Sequence, residues 1–212
     1  KMNVILAKRL VPRYAKRVLP EENKNQCWIK WPHNKYSNHS LTNSMQLPDA
    51  EILLKSLAKK IRSDGGKDFV LVGIHTGGVW LAERLHQELG ITQPLGTLDV
   101  SFYRDDFDKI GLHSKVKPSE IPFEVEGAHI ILVDDVLHTG RTIRAAVNEL
   151  FDYGRPASIS LATLVDRGGR ELPIAAQFAG IVLELPADKM LELKREESGK
   201  LSLNLYDKSL PE

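Results

Sequence analysis

Apolar residues in this chain fall into short blocks separated by polar, glycine-punctuated links, and the spacing within each block predicts its element. Ile52, Leu53, Leu57 and Ile61 recur on one face over residues 49–62, with Pro48 near the first turn, which predicts a helix. Residues 69–74, Phe-Val-Leu-Val-Gly-Ile, form the continuous apolar run of a buried parallel strand. The small loop His75-Thr76-Gly77-Gly78 leads into a helix to about Leu89, which Gly90 ends. Residues 97–103 alternate as a strand does. Residues 104–122 carry charges, glycine and proline without an apolar period, which predicts a long exposed loop.

The next unit has the clearest pattern. Ile130-Ile131-Leu132-Val133 reads as a buried strand running into Asp134-Asp135, with a turn at Thr139-Gly140 and a helix from about Arg141. Ile143, Ala146, Val147, Leu150 and Phe151 follow the helical template, and Gly154 supplies a stop. A strand at 158–165 follows, and residues 190–206 form two alternating stretches around Glu197-Ser198-Gly199, a terminal hairpin. Strand–helix–strand order with short links predicts an α/β fold. Its central sheet is mostly parallel and flanked by helices, with a C-terminal β hairpin.

Composition divides the chain. Residues 1–44 hold nine Lys/Arg against two Asp/Glu, a net +7, whereas residues 45–212 hold twenty against twenty-six, a net −6. The first segment lacks periodicity, so it is expected to be a weakly structured basic extension, with residues 45–212 as the domain. Its alternative reading is a nucleic-acid arm with Trp28, Trp31 and Tyr36 as stacking platforms. Cys27, His33 and His39 are too loosely spaced, and lack a fourth partner, to make a convincing metal site. The single cysteine excludes an intrachain disulfide and fits a reducing compartment, so a cytoplasmic location is expected. No apolar run approaches a membrane span, and no signal peptide is evident; the first residue, Lys1, suggests a truncated or processed start.

The chemistry concentrates where a strand meets a helix. In open parallel sheets, ligands bind beyond the carboxyl ends of the strands. Asp134 and Asp135 lie at such an end, followed by Val136-Leu137-His138-Thr139-Gly140-Arg141-Thr142 and a helix start. Backbone N–H groups there lack intrahelical partners and the helix dipole adds positive potential, so the segment is an anion site. Gly140 permits close approach to a phosphate, and the Thr139 and Thr142 hydroxyls can donate. Two carboxylates would repel a phosphate, but a ribose diol suits them. The alternative is a surface acidic pocket of the receiver type. Gly77 and Gly78 tolerate unusual backbone states, so a strained or cis peptide is expected within 75–78.

The run Ile130–Thr142 resembles the phosphoribosyl pyrophosphate (PRPP) signature of type I phosphoribosyltransferases: four apolar residues, two acids, then Thr-Gly-x-Thr. Together with Phe69–Leu85, Leu98–Asp106 and Asn148 through Ile174, it resembles the PyrR family over about residues 48–185. That resemblance implies a type I phosphoribosyltransferase fold and a uracil phosphoribosyltransferase, commonly a homodimer or higher oligomer. It implies that Asp134 and Asp135 hold the ribose hydroxyls, which chelate the substrate's Mg²⁺, with no assigned direct protein ligand to the metal. Asp134 through Thr142 would bind PRPP, with Thr139, Gly140, Arg141 and Thr142 cradling its 5-phosphate. His75, Thr76, Gly77 and Gly78 would contact pyrophosphate, and Arg104, Asp105 and Asp106 would open a mobile catalytic loop.

One departure concerns the pyrophosphate loop, familiar as Lys-Thr-Arg-Gly and here His-Thr-Gly-Gly. Charge would then come from Mg²⁺, backbone N–H groups and Lys109, Lys115 or Lys117. His138 stands where purine-using relatives carry an aspartate, which argues against a purine. For uracil, the resemblance implies recognition by backbone groups near Val165, Asp166 and Arg167; the competing reading of Asp166 and Arg167 is a strand-end salt bridge. A second function, a UMP-responsive RNA-binding regulator of pyrimidine genes, is disfavoured because the domain is acidic and its basic residues are dispersed.

Overall fold

The computed structural model describes residues 47–66, 68–100, 118–186 and 188–207. The basic extension, Arg104–Asp106 and the three candidate lysines fall outside the described residues. Helix α1 spans Ala50–Asp64, β1 Val70–Ile74, α2 Gly77–Leu89 and β2 Gly96–Leu98. Strand β3 spans His129–Leu137, α3 Arg141–Tyr153, β4 Ser158–Asp166 and β5 Phe178–Val182. The hairpin strands are β6, Lys189–Arg195, and β7, Leu201–Asp207. The five strands of the main sheet run parallel in the order β2-β1-β3-β4-β5, and β6 and β7 pair antiparallel in a separate two-stranded sheet.

Strand periodicity sorts the central residues into two cores. On one face Leu71, Ile131 and Val133 pack with Leu53, Leu54, Leu57 and Ile61 of α1 and Leu81 and Leu85 of α2. On the other, Val72, Ile74, Ile130 and Leu132 pack with Ile143, Ala146 and Leu150 of α3. Covering both faces leaves no polar face to the central strands, which is why they read as continuous apolar runs. Among the described residues, no helix is long and apolar enough to cross a membrane.

Helix α1 begins one residue later than the sequence pattern suggests: Asp49 is the cap, its Oδ1 accepting from the N–H of Glu51 at 2.7 Å. Two expected core positions are corrected. Ile52 is 67% exposed, because the buried stripe runs through Ala50, Leu53, Leu54, Leu57, Ala58 and Ile61 and leaves position 52 to one side. Phe151 is 53% exposed, and its ring lines an open groove with Pro156 and Ile159. The expected strand at 97–103 is described only as the short β2, and residues 118–120 of the predicted loop are held alongside it by paired hydrogen bonds between Thr97 and Glu120.

The hairpin is anchored far from its own sequence. Arg84 on α2 meets Glu51 on α1 through both nitrogens, at 2.6 and 3.0 Å, and Glu51 Oε1 also accepts from the Leu201 N–H at 2.9 Å. The Arg84 guanidinium holds the Glu51 carboxyl below the usual carboxylate range. This arrangement ties β7 to the helical face of the sheet, while the other end of the hairpin reaches the carboxyl end of β3 and β4.

Candidate active site

Strand β3 continues four residues past the apolar run, so Asp134 and Asp135 lie within the strand rather than after it. Asp134 is buried and stands in register with Thr163 of β4; its Oδ1 accepts from the N–H of Asp135 at 3.0 Å. Asp135 is half-buried and faces a cavity of about 150 Å³. The cavity is walled by Asp134, Asp135, Val136, His138 and Thr142 from the signature, Arg167 from beyond β4, and Met190, Leu191, Glu192 and Tyr206 from the hairpin.

The loop 75–78 sits directly against these acids. The N–H of His75 donates to the Leu98 carbonyl at 2.8 Å, and the His75–Thr76 peptide is cis. Helix α2 then starts at Gly77 with almost no clearance. A Cβ on Gly77 would fall within 2.6 Å of the Asp135 carboxyl carbon, and one on Gly78 within 2.5 Å of the Val133 carbonyl oxygen. At Gly78 the close approach is backbone to backbone and requires glycine, whereas at Gly77 the obstacle is the Asp135 side chain. The Asp135 carboxyl occupies the space that a side chain at position 77 would need, which gives a physical setting for Gly77 where the familiar loop carries arginine.

The other side of the cavity is the turn into α3. Gly140 caps that helix with φ +93°, a conformation favouring glycine, and the Arg141 N–H reaches Thr139 Oγ1 at 3.3 Å. Two helix N-termini and a carboxylate pair thus converge at the carboxyl end of β3. That arrangement suits a ligand with two anionic ends and a hydroxylated middle.

The phosphoribosyl transferase domain family matches this chain over residues 41–186. The bifunctional protein PyrR of Pseudomonas putida (strain W619) is 54% identical over 153 residues, covering 70% of this chain and 89% of that protein. Its counterpart in Pseudomonas syringae pv. syringae (strain B728a) is 50% identical over 169 residues, covering 78% and 98%. The chain belongs to the PyrR family. In fold it is also similar to a hypoxanthine-guanine phosphoribosyltransferase from Bacillus anthracis str. 'Ames Ancestor', with a TM-score of 0.52 and 19% identity over 68% of this chain and 86% of that one. The type I phosphoribosyltransferase architecture expected from the signature is the one observed.

Within this PyrR-family site, the structure brings together His75–Gly78, Asp134–Thr142 and the end of β4. Arg104, Asp105 and Asp106 lie outside the described residues. The strand-end salt bridge considered for Asp166 and Arg167 is not formed between them. Asp166 pairs instead with Arg170, at 2.6 Å, and its other oxygen accepts from the Gly168 N–H. Arg167 turns the opposite way, beneath the hairpin, where Nη2 donates to the Lys189 carbonyl at 2.9 Å. It is 6% exposed, its Nε has no hydrogen-bond partner among the described residues, and burial pushes its guanidinium below the usual arginine range.

The backbone near Val165–Arg167 is largely committed to the fold. The Asp166 carbonyl accepts from Leu183 N–H at 2.8 Å, and the Arg167 N–H donates to the Leu137 carbonyl at 3.0 Å. Sequence reasoning missed the hairpin's contribution of Met190, Glu192 and Tyr206. The hairpin itself was legible, but nothing in its alternation shows which sheet end it covers.

Proposed function

We propose that this chain transfers the 5-phosphoribosyl group of PRPP to uracil, giving UMP and pyrophosphate. The observation that carries this reading is the convergence of the carboxylate pair and the start of α3 on one cavity at the end of β3, with the glycine loop packed against Asp135. In the reaction the C1–oxygen bond to pyrophosphate breaks, the C1–nitrogen bond to the base forms, and the base loses a proton. Charge separates toward an oxocarbenium-like sugar, so the protein's task is positioning, charge stabilisation and exclusion of water.

Asp134 and Asp135 accept from the ribose hydroxyls and place a negative field near the electron-poor sugar. Thr139, Gly140, Arg141 and Thr142 hold the 5-phosphate at the start of α3. The loop His75–Gly78 meets the pyrophosphate, offering backbone N–H groups of Thr76, Gly77 and Gly78 while the His75 N–H stays with the Leu98 carbonyl, and Arg104, Asp105 and Asp106 are assigned from the resemblance to the catalytic loop. Magnesium brought in with the substrate would supply further neutralisation of the leaving group, and the hard carboxylate oxygens of Asp134 and Asp135 at the cavity wall would suit such an ion. The base lies toward His138, Val165, Asp166 and Arg167, under the hairpin. With the Asp166 carboxylate bound to Arg170, the buried Arg167 guanidinium is the polar group best placed to meet a pyrimidine carbonyl. The single cysteine supports a cytoplasmic setting for this activity.

A base screen with radiolabelled PRPP tests the proposal. Uracil is expected to be the acceptor in preference to hypoxanthine, guanine and adenine; preferential labelling of a purine would overturn the base assignment.

The relatives are named bifunctional, which supports RNA-binding regulation as a second reading. Each phosphate contact to a single strand contributes about −0.7 to the slope of log affinity against log salt. Removing residues 1–44 takes away +7 and leaves a net −6. In filter binding, pyrimidine-leader RNA is expected to lose its affinity for residues 45–212, while uracil transfer persists. Tight binding with a steep salt slope by 45–212 alone would place an RNA face on the domain itself.

A further inference from the structure

The segment following β4 wraps the phosphate turn, and one side chain dominates the contact. Arg170 donates Nε to the Ile174 carbonyl at 2.9 Å and pairs Nη2 with Asp166 at 2.6 Å. Its Nη1 meets the carbonyls of His138 at 2.7 Å, Gly168 at 3.1 Å and Leu137 at 3.3 Å. A planar guanidinium with a donor in each direction is the group that can join two loops in this way; an ammonium cannot reproduce the fork.

The consequence lies in the peptide planes. In a trans peptide the carbonyl and the following N–H point in opposite directions. The Leu137 carbonyl accepts from the Arg167 N–H as well as from Arg170, Arg170 draws the His138 carbonyl, and the next carbonyl, Thr139, accepts from the N–H groups of Glu171 at 3.0 Å and Leu172 at 3.2 Å. Three successive carbonyls are therefore turned toward residues 167–172. The N–H groups of His138, Thr139 and Gly140 are turned the other way, the arrangement of an anion-binding nest. Packing reinforces it: a Cβ on Gly140 would stand 3.3 Å from Ile174, and one on Gly169 2.8 Å from the His138 ring.

We infer that Arg170 is a positioning residue for phosphate binding, holding the His138 carbonyl outward so that the turn offers N–H groups rather than carbonyl oxygen to the 5-phosphate. The inference rests on the proposed phosphoribosyl site. Without the guanidinium, the Leu137 carbonyl keeps its bond from the Arg167 N–H, but the His138 peptide loses the Arg170 donor and can rotate to present oxygen to an anion. Arg170 itself touches no substrate in this scheme.

Calorimetric titration of the full chain with UMP and with uridine separates the possibilities, because the two probes differ only by the phosphate. Wild type is expected to bind UMP more tightly than uridine by about 10-fold or more. In Arg170→Met and Arg170→Lys that discrimination is expected to fall by about 10-fold, with uridine affinity and the circular dichroism spectrum unchanged. Either variant retaining wild-type discrimination, while folded, would overturn the inference. Equal loss of both ligands, or failure of both variants to fold, would also overturn it by assigning Arg170 to the fold. A wild-type protein that fails to favour UMP would remove the phosphoribosyl reading, and the inference with it.

Discussion

Asp135→Asn is expected to lower kcat for uracil transfer by about 100-fold or more while leaving the melting temperature near wild type. The substitution keeps the shape of the side chain, and Asp135 is half-buried at the cavity wall, so packing changes little. What changes is the charge and one acceptor. An amide nitrogen would face hydroxyl donors with another donor, and the negative field near the developing sugar cation would be halved. Asp134 differs in setting, being buried and accepting from the Asp135 N–H. Asp134→Asn can preserve that bond through its amide oxygen, so it too should fold. Steady-state kinetics and thermal melts on both single variants and the double variant check this. Near-normal turnover in the double variant would remove the acids from the reaction, and unfolding would make them structural.

Much of the fold was legible because each strand–helix unit carries its own period. The central strands are apolar throughout, and α2 and α3 have glycines close to their ends. The phosphate turn was legible for the same reason: its residues are contiguous. Features that depend on distant partners were not. Strand β5 was missed because Phe178-Ala179-Gly180-Ile181-Val182 is short and interrupted by glycine, and only pairing with β4 makes it a strand. Ile52 looked like a core residue because apolarity alone does not fix which of two adjacent positions faces the sheet. Asp166 and Arg167 are neighbours with opposite charges, yet they part because alternate residues leave a strand end in opposite directions. Asp166 then finds Arg170 and Arg167 finds the hairpin. The hairpin's share of the cavity rests on anchors at Glu51 and Arg84, which are separated from Leu201 by more than half the chain.

Gly78→Ala should be both destabilising and strongly impairing, and the sign of the first effect is the informative part. Gly78 is the second residue of α2, and on helix propensity alone alanine would stabilise by about 0.5–1 kcal/mol. Its Cβ, however, would lie 2.5 Å from the Val133 carbonyl oxygen and 3.0 Å from the Asp134 Cα. Both atoms belong to the backbone of β3, where Val133 is paired with Gly73 on one side and Ala162 on the other. They cannot move without disturbing the sheet, so the first turn of α2 must lift instead. Overpacking of this kind costs about 1–3 kcal/mol, enough to reverse the propensity gain. The same lift carries residues 75–78 away from the acids, and a displacement near 1 Å is expected to reduce turnover by about 100-fold. Gly77→Ala meets a different obstacle, the Asp135 carboxyl, which can rotate. It should therefore lose activity with a smaller loss of stability. Thermal melts and uracil-transfer kinetics on the two variants decide the matter. A Gly78→Ala protein as stable as wild type, or more so, with turnover intact would show that α2 is not seated against β3 as described, and that the pyrophosphate loop owes nothing to this contact.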